Sequence, residues 1–370
     1  VTTALSWDER FGTHDMGEAA IFVPPEGLVE ADVHIDNPAR ILRTRTLIRA
    51  AGLDPELTVV RPREAGPAEI LLAHSEEHLE RMRATVALGG GDAGGGYTPM
   101  DGRSYGLALL SAGSALTVLE LVAAGAATNG HAMLRRSGHH ASREAGYGFC
   151  VFNNCAIVAR AAQSRHGLAR VAVVDIDAHH GNGTEALFYD DPTVLTISIH
   201  QDRSFPIETG GVEAAGAGDG LGANVNVNLP AGTGDGGYLD AMDRIVLPVL
   251  EAFGPDLVVV ACGVDASPYD PLSQLAVTAA GFAAVGDRLR AAAARLAGGR
   301  LMLVQEGGYS HQYAPFCWLA LLEALMDRPT RHADPFAPFL EGCAFVPLAP
   351  WQRAANDATL REVERYWATA

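Results

Sequence analysis

The stretch VAVVDIDAHHGNG at residues 171–183 places two carboxylates and an imidazole, Asp175, Asp177 and His179, at spacing i, i+2, i+4 behind four apolar residues. Val171 to Val174 predict a buried strand, and in an extended backbone that spacing points all three side chains one way. Such a convergence makes a poor core and a good cradle for a divalent cation. The plainer alternative is a polar strand end with helix-capping residues. Three more clusters repeat the order of apolar run, then reactive group. HAMLRRSGHHA (131–141) leads to His139 and His140, LVVVACGVD (257–265) to Asp265, and LMLVQEGGYS (301–310) to Tyr309 on a Gly307-Gly308 turn.

Asp177, His179 and Asp265 offer ligands of types O, N and O. Structural zinc sites usually take four protein ligands, often cysteines, so three without cysteine point to an open, catalytic site. A bound ion would acidify water and polarise a carbonyl oxygen. His140 or His139 can then take a proton and return it to a leaving amine. The Tyr309 hydroxyl can stabilise a developing oxyanion, and Asp175 can orient an imidazole from behind. O/N/O ligation accepts Fe(II) or Co(II) as well as Zn(II). Taken singly, the histidine pair has a surface or metal-free structural role as its lesser alternative, and Tyr309 reads equally as a core tyrosine.

These groups need elements to position them. Strand-like runs at 130–134, 171–175, 194–199, 225–229, 257–262 and 300–305 alternate with helical runs at 38–51, 75–87, 104–124, 153–165, 237–252, 279–297 and 314–326. That alternation predicts an α/β fold: a single open, mostly parallel sheet with helices on both faces. Ligands of such sheets bind at the carboxyl ends of the strands, where all four clusters fall. The chain, 1–370, reads as one catalytic domain. Gly-rich segments at 89–96 and 210–222 read as surface loops, and the Pro- and aromatic-rich tail, 332–370, as a wrap over the surface.

The formal charge of -17 and the lack of a basic stripe exclude a nucleic-acid binder. All 27 basic residues are arginine, so no side-chain amine exists to be acylated. Five cysteines without paired spacing (Cys150, Cys155, Cys262, Cys317, Cys343) predict reduced thiols. With Asp8, Glu9, Arg10, Asp15 and Glu18 near the start, the expectation is no secretory leader and a cytoplasmic protein. The apolar run from Leu107 to Ala127 is interrupted by Ser111, Ser114, Thr117 and Glu120, so it predicts a buried helix and no membrane span.

The set GHHA (138–141), GYGFCVFNN (146–154), DIDAHHGNGTE (175–185), GVDASPYDPL (263–272) and QEGGYS (305–310), with ILLAHSEEHLERM (70–82), resembles the histone deacetylase superfamily. The likeness is greatest to its class II-like bacterial histone deacetylase-like amidohydrolases, related to the acetylpolyamine amidohydrolases. The resemblance implies the arginase/deacetylase-like fold and a zinc-dependent amidohydrolase that removes acyl groups from N-acylated amines such as acyl-lysine. It implies Asp177, His179 and Asp265 as zinc ligands, Tyr309 as the catalytic tyrosine, and His139 and His140 as the tandem histidines, the second the usual base. Asp175 falls behind the first histidine and Asn182 behind the second. Gly148, Phe149, Phe205, Leu272 and Gly308 fall at substrate-binding positions, Leu272 at the tunnel mouth. Relatives also bind structural potassium, here near Asp175, Asp177, His179, Ser198 and Ile199, with an outer ion near Phe188, Asp191 and Val194. A homo-oligomer is compatible with the resemblance.

Two departures bear on substrate choice. Arg136 and Ser137 stand where the family usually has Pro-Pro, which predicts a freer histidine loop. The rim loop is Gly94-Gly95-Gly96, where many relatives carry an acidic residue that holds the substrate backbone. An acetylpolyamine or other small-molecule amide hydrolase is therefore the alternative function, and a non-catalytic acyl-ligand-binding protein the third. Arginases need a two-metal set with more carboxylates and have no matching GGY tyrosine.

Overall fold

The computed structural model of the chain describes residues 1–14, 16–328 and 332–367. Eight strands form the main sheet: β1 (Thr3–Ser6), β2 (Leu57–Val60), β3 (Asn129–Ala132), β4 (Val171–Asp175), β5 (Val194–Gln201), β6 (Asn224–Leu229), β7 (Leu257–Cys262) and β8 (Leu301–Gln305). Their order across the sheet is β6-β5-β4-β7-β8-β3-β1-β2, and every pairing is parallel. A parallel sheet must be covered on both faces, which is why β4, β7 and β8 read as near-continuous apolar runs, broken only at their ends by Asp175 and Gln305, instead of alternating. Along β4, Val171 and Val173 join the core built by the helices Ser104–Ala123 and Asn154–His166. Ala172 and Val174 join the opposite core, with the helices Ala279–Leu296 and Ala314–Leu325. Each fully buried valine is worth roughly 1.5–3 kcal/mol over an exposed one.

The chain leaves β4 toward β5 through the helix Asn182–Phe188 and leaves its neighbour β7 toward β8 through Ala279–Leu296. These two connections run to opposite sides, so a crevice opens where β4 and β7 end. Asp177 and His179 follow the first strand and Asp265 the second.

The six strands and seven helices expected from sequence are present within a few residues, the helix at 237–252 being continuous through a wider π turn at Met242–Val246. β1 and β2 were not expected. Segment 89–96 is not wholly loop either: Gly90–Asp92 pairs antiparallel with Pro99–Asp101. The helix Ser104–Ala123 is long and apolar enough to cross a membrane, but about two thirds of its apolar window is buried in the core. Of the tail, the helix Pro350–Val363 covers β6, with Asn356 Nδ2 donating to Gly237 O at 3.0 Å and to Asp240 Oδ2 at 2.8 Å. Residues 368–370 lie outside the described set.

Candidate active site

β4 ends at Asp175, and the ligand segment beyond it is a turn, not the extended backbone that the spacing suggested. Carboxylates bend it. The N–H of Asp177 donates to Asp175 Oδ1 at 3.0 Å, and that of His179 to Asp177 Oδ1 at 2.9 Å. The three side chains converge nonetheless. His179 Nδ1 lies 3.0 Å from both Asp177 Oδ1 and Asp265 Oδ2, and the donor atoms of the trio all lie within 4.8 Å of one another. His179 Nε2 donates to Leu272 O at 3.2 Å, which orients the ring. Gly307 closes the floor: a Cβ there would stand 2.3 Å from Asp265 Oδ2 and 2.6 Å from Asp177 Oδ2.

Burial works against charge on His179, yet the Asp265 and Asp177 carboxylates hold its pKa well above the ordinary value. Asp265 itself is pushed up to about 6 by burial and by the charge of Asp177. Two buried carboxylates facing one nitrogen require a positive charge at that point. A divalent ion bound by three donors meets the requirement, so the donor set fits a metal.

The tandem histidines flank this point, with ring centroids 3.9 Å apart. His139 Nδ1 donates to Asp175 Oδ2 at 2.8 Å, and His140 Nδ1 to Asn182 Oδ1 at 2.8 Å. The partners set the charges apart. Burial opposes protonation of His139, but the carboxylates of Asp175 and Asp177 prevail and push it up to about 10. Burial and the adjacent His139 hold His140 well below its ordinary value. One imidazolium thus stands beside one neutral imidazole, and the neutral ring, His140, lines the cavity. Burial keeps Tyr309 a phenol far above its ordinary pKa, hence a permanent donor.

That cavity, about 420 Å³, is also lined by Gly148, Phe149, His179, Phe205, Leu272 and Tyr309. Gly148, at φ 53°, is required: a Cβ would fall 2.7 Å from His140 Cδ2 and 2.8 Å from Phe205 Cε1. Gly308 does not line the cavity. At its φ of 128° a Cβ would stand 2.6 Å from Val264 Cγ2 and 3.1 Å from Trp318 Cζ2, so the turn requires glycine there. The loop before the histidines also differs from expectation, because it is tied down without prolines. Arg136 N donates to Ser111 Oγ at 2.7 Å, Arg136 O accepts from Asn154 Nδ2 at 3.0 Å, and the guanidinium is buried against Met16 and Pro99.

At the inner ion position Asp175 and Ser198 are register partners, with Ile199 next on β5. At the outer one Phe188, Asp191 and Val194 share one turn, but Arg160 already places a cation on the Asp191 carboxylate at 2.5 Å. Three residues without an assigned role hold the frame. Glu306 Oε2 accepts from the N–H of Gly138 at 2.6 Å and of His139 at 3.2 Å. Asp270 gathers the N–H of Tyr309 at 2.6 Å and of Leu272 at 2.9 Å. Arg40, bound to Asp36 and to Glu306 O, lies 5.5 Å from the Tyr309 ring centroid.

A histone deacetylase domain profile fits residues 34–325, which include the carboxylate–histidine trio, the tandem histidines and Tyr309. This chain belongs to the histone deacetylase family. It is 42% identical over 342 residues to the histone deacetylase-like amidohydrolase of Pseudomonas aeruginosa, covering 92% of this chain and 90% of that one. It is 37% identical over 341 residues to the polyamine deacetylase HDAC10 of Homo sapiens, covering 89% of this chain and 48% of that one. Among solved structures, the HDA15 HD domain superimposes with a TM-score of 0.85 at 30% identity, over 99% of this chain and 97% of that one. As a histone deacetylase family member the chain is a hydrolase acting on amides, in a metal-dependent family.

Proposed function

We propose that the protein is a zinc-dependent deacylase of N-acyl amines, with acyl-lysine-like amides as preferred substrates. The observation that carries this reading is the cation-demanding trio Asp177, His179 and Asp265 at the floor of a narrow aromatic cavity, between His140 and Tyr309. Asp177, His179 and Asp265 would hold the zinc, which when bound polarises the amide carbonyl and acidifies water. Phe149 and Phe205 exclude bulk water from an extended acyl-amine stem. His140 takes the proton of the attacking water and delivers it to the leaving nitrogen. Asn182 fixes the ring so that Nε2 is free for this work, and His139, held by Asp175, keeps a positive charge beside the developing oxyanion. Tyr309 donates its hydroxyl proton in a hydrogen bond to the same oxygen. We include potassium at the inner position as a structural ion, on the strength of the family resemblance and of Asp175 and Ser198 lying side by side. The direct test is hydrolysis of a fluorogenic acetyl-lysine amide with and without a chelator. Activity that survives complete metal removal would sink the reading.

Asn182 offers His140 no charge. An Asn182→Asp carboxylate would favour the imidazolium and raise the pKa of His140, by about one to three units for an adjacent opposite charge. Because the base must be neutral to work, the acidic limb of kcat/KM should move to higher pH in that variant. A limb that stays in place would remove His140 as the titrating base.

Substrate choice follows from Leu272, whose side chain gives an acyl-lysine stem apolar contact and offers a polyamine's ammonium no partner. Acetyl-lysine should be preferred to acetylspermidine, and Leu272→Glu should shift the ratio toward acetylspermidine. Diffuse surface charge is screened over roughly 8–10 Å at physiological salt, so it should not reverse a contact effect. A parent enzyme that favours acetylspermidine by about tenfold, some 1.4 kcal/mol, would defeat this assignment.

A further inference from the structure

The mouth of the cavity carries a second aromatic layer. From His140 inside, ring contacts run outward to Phe205 at 5.2 Å, from Phe205 to Tyr97 at 5.8 Å, and from Tyr97 to Phe22 at 5.8 Å, each edge to face. Phe22, Tyr97 and Ile207 all line the cavity and remain 42%, 54% and 78% exposed, so three large apolar groups face water around one opening. Contiguous exposed apolar surface of this kind marks a binding site more often than an isolated exposed residue does.

The backbone is bent to present them. Six non-glycine residues among those described have φ in the left-handed region, and five border this mouth. Tyr97 (φ 55°), Phe149 (φ 69°) and Arg203 (φ 51°) line it, while Ile21 (φ 61°) and Glu208 (φ 68°) adjoin Phe22 and Ile207. The sixth, Asp327, ends a helix far along the chain. Bulky residues rarely adopt this conformation, and such outliers gather where geometry serves function.

Polar recognition is withdrawn from the same rim. Asp92, just before the Gly94-Gly95-Gly96 rim loop, spends its carboxylate on the N–H groups of Gly94 at 2.8 Å, Gly96 at 2.9 Å and Thr98 at 2.9 Å. It is therefore committed to holding the turn that projects Tyr97. Among the described residues no carboxylate is part of the rim lining above the Asp177–His179–Asp265 floor, and the one arginine there is Arg203, loosely paired with Asp202 at 3.8 Å.

We propose that Tyr97, Phe22 and Ile207 form a specificity collar that takes a flat, uncharged aryl or alkyl group on the amine side of the scissile bond. The preferred substrates are then N-acyl amines with an apolar group just outside the tunnel, in place of polyamines or bare peptide backbone. This rests on the deacylase reading above and narrows its substrate class. A ring inserted between Tyr97 and Ile207 meets aromatic edges and apolar surface on both sides, whereas an ammonium there meets Arg203 in the lining, the neighbouring acids Asp202 and Glu208 standing outside it.

The test compares Nε-acetyl-lysine anilide with Nε-acetyl-lysine methylamide, which differ only at the group the collar would hold. The parent should favour the anilide in kcat/KM by about tenfold or more, the scale expected for burying one ring. In Tyr97→Ala and Phe22→Ala the preference should shrink to within about twofold, while Tyr97→Phe should keep it. Equal kcat/KM for the two amides in the parent, or a preference that survives both alanine variants, would overturn the collar. Calorimetric binding of both amides to Tyr309→Phe separates the two readings. Tighter anilide binding without hydrolysis by the parent would keep the collar and sink the deacylase, and equal binding would sink the collar.

Discussion

Asp265→Ala should contain no stoichiometric divalent metal by elemental analysis and should show no hydrolysis of acetyl-lysine amides above background. Asp265 supplies one of only three donors, and its other oxygen accepts the N–H of Ala178 at 2.7 Å, so its loss also loosens the turn that carries His179. Removing one member of a buried charged cluster costs about 3–5 kcal/mol because the remaining charges are left uncompensated. A melting curve should accompany the assay, to show that the variant is folded. Hydroxamates, which inhibit by chelation, should bind the parent and not this variant. Full metal content in a folded Asp265→Ala protein would mean that the ligands are misassigned.

Tyr309→Phe should separate binding from catalysis. The phenol is buried, held neutral and seated against Arg40, and the N–H of its own residue is anchored on Asp270, so a phenylalanine ring fits the same space. Metal content and hydroxamate affinity should therefore persist. Turnover should fall about 10²–10³-fold, the usual cost of one oxyanion donor. Near-normal turnover would assign the donor elsewhere, and lost metal would make Tyr309 a structural residue.

The reactive residues were legible because they sit in short segments directly behind apolar runs. His139, His140, Asp177, His179, Asp265 and Tyr309 are all brought to one crevice by the sheet order. The reason offered for the first trio was wrong in detail: Asp177 and His179 converge through a carboxylate-bent turn, a geometry that period-two spacing does not describe. β4, β7 and β8 announce themselves as continuous apolar runs. β1 is TALS and β2 is LTVV, four residues each, and they become strands by pairing beside β3, which no local pattern records. Glu306 and Asp270 lay within motifs that were singled out, but their work is to collect backbone N–H groups from other segments, and a lone acidic residue carries no signal for that. Arg136 illustrates the opposite error. Loss of proline reads as added freedom along the chain, whereas Ser111 and Asn154 restore the constraint through space.

β8 is bonded on one side to β7 and on the other to β3, and among the described residues no other strand pairing joins those two groups. Without residues 301–305 the strand pairings would leave β6-β5-β4-β7 and β3-β1-β2 as two separate groups, with β7 and β3 as open edges. Both groups can be complete yet separate only between the synthesis of Cys262 and that of Leu301. The segment that welds them also delivers Tyr309 four residues later. At ~5–20 residues per second, several seconds separate the emergence of Asp265 from that of Tyr309. Closure of the crevice and arrival of Tyr309 thus depend on one late segment, and a chain ending before residue 301 would hold Asp177, His179 and Asp265 but lack both the strand that joins the two groups and the tyrosine.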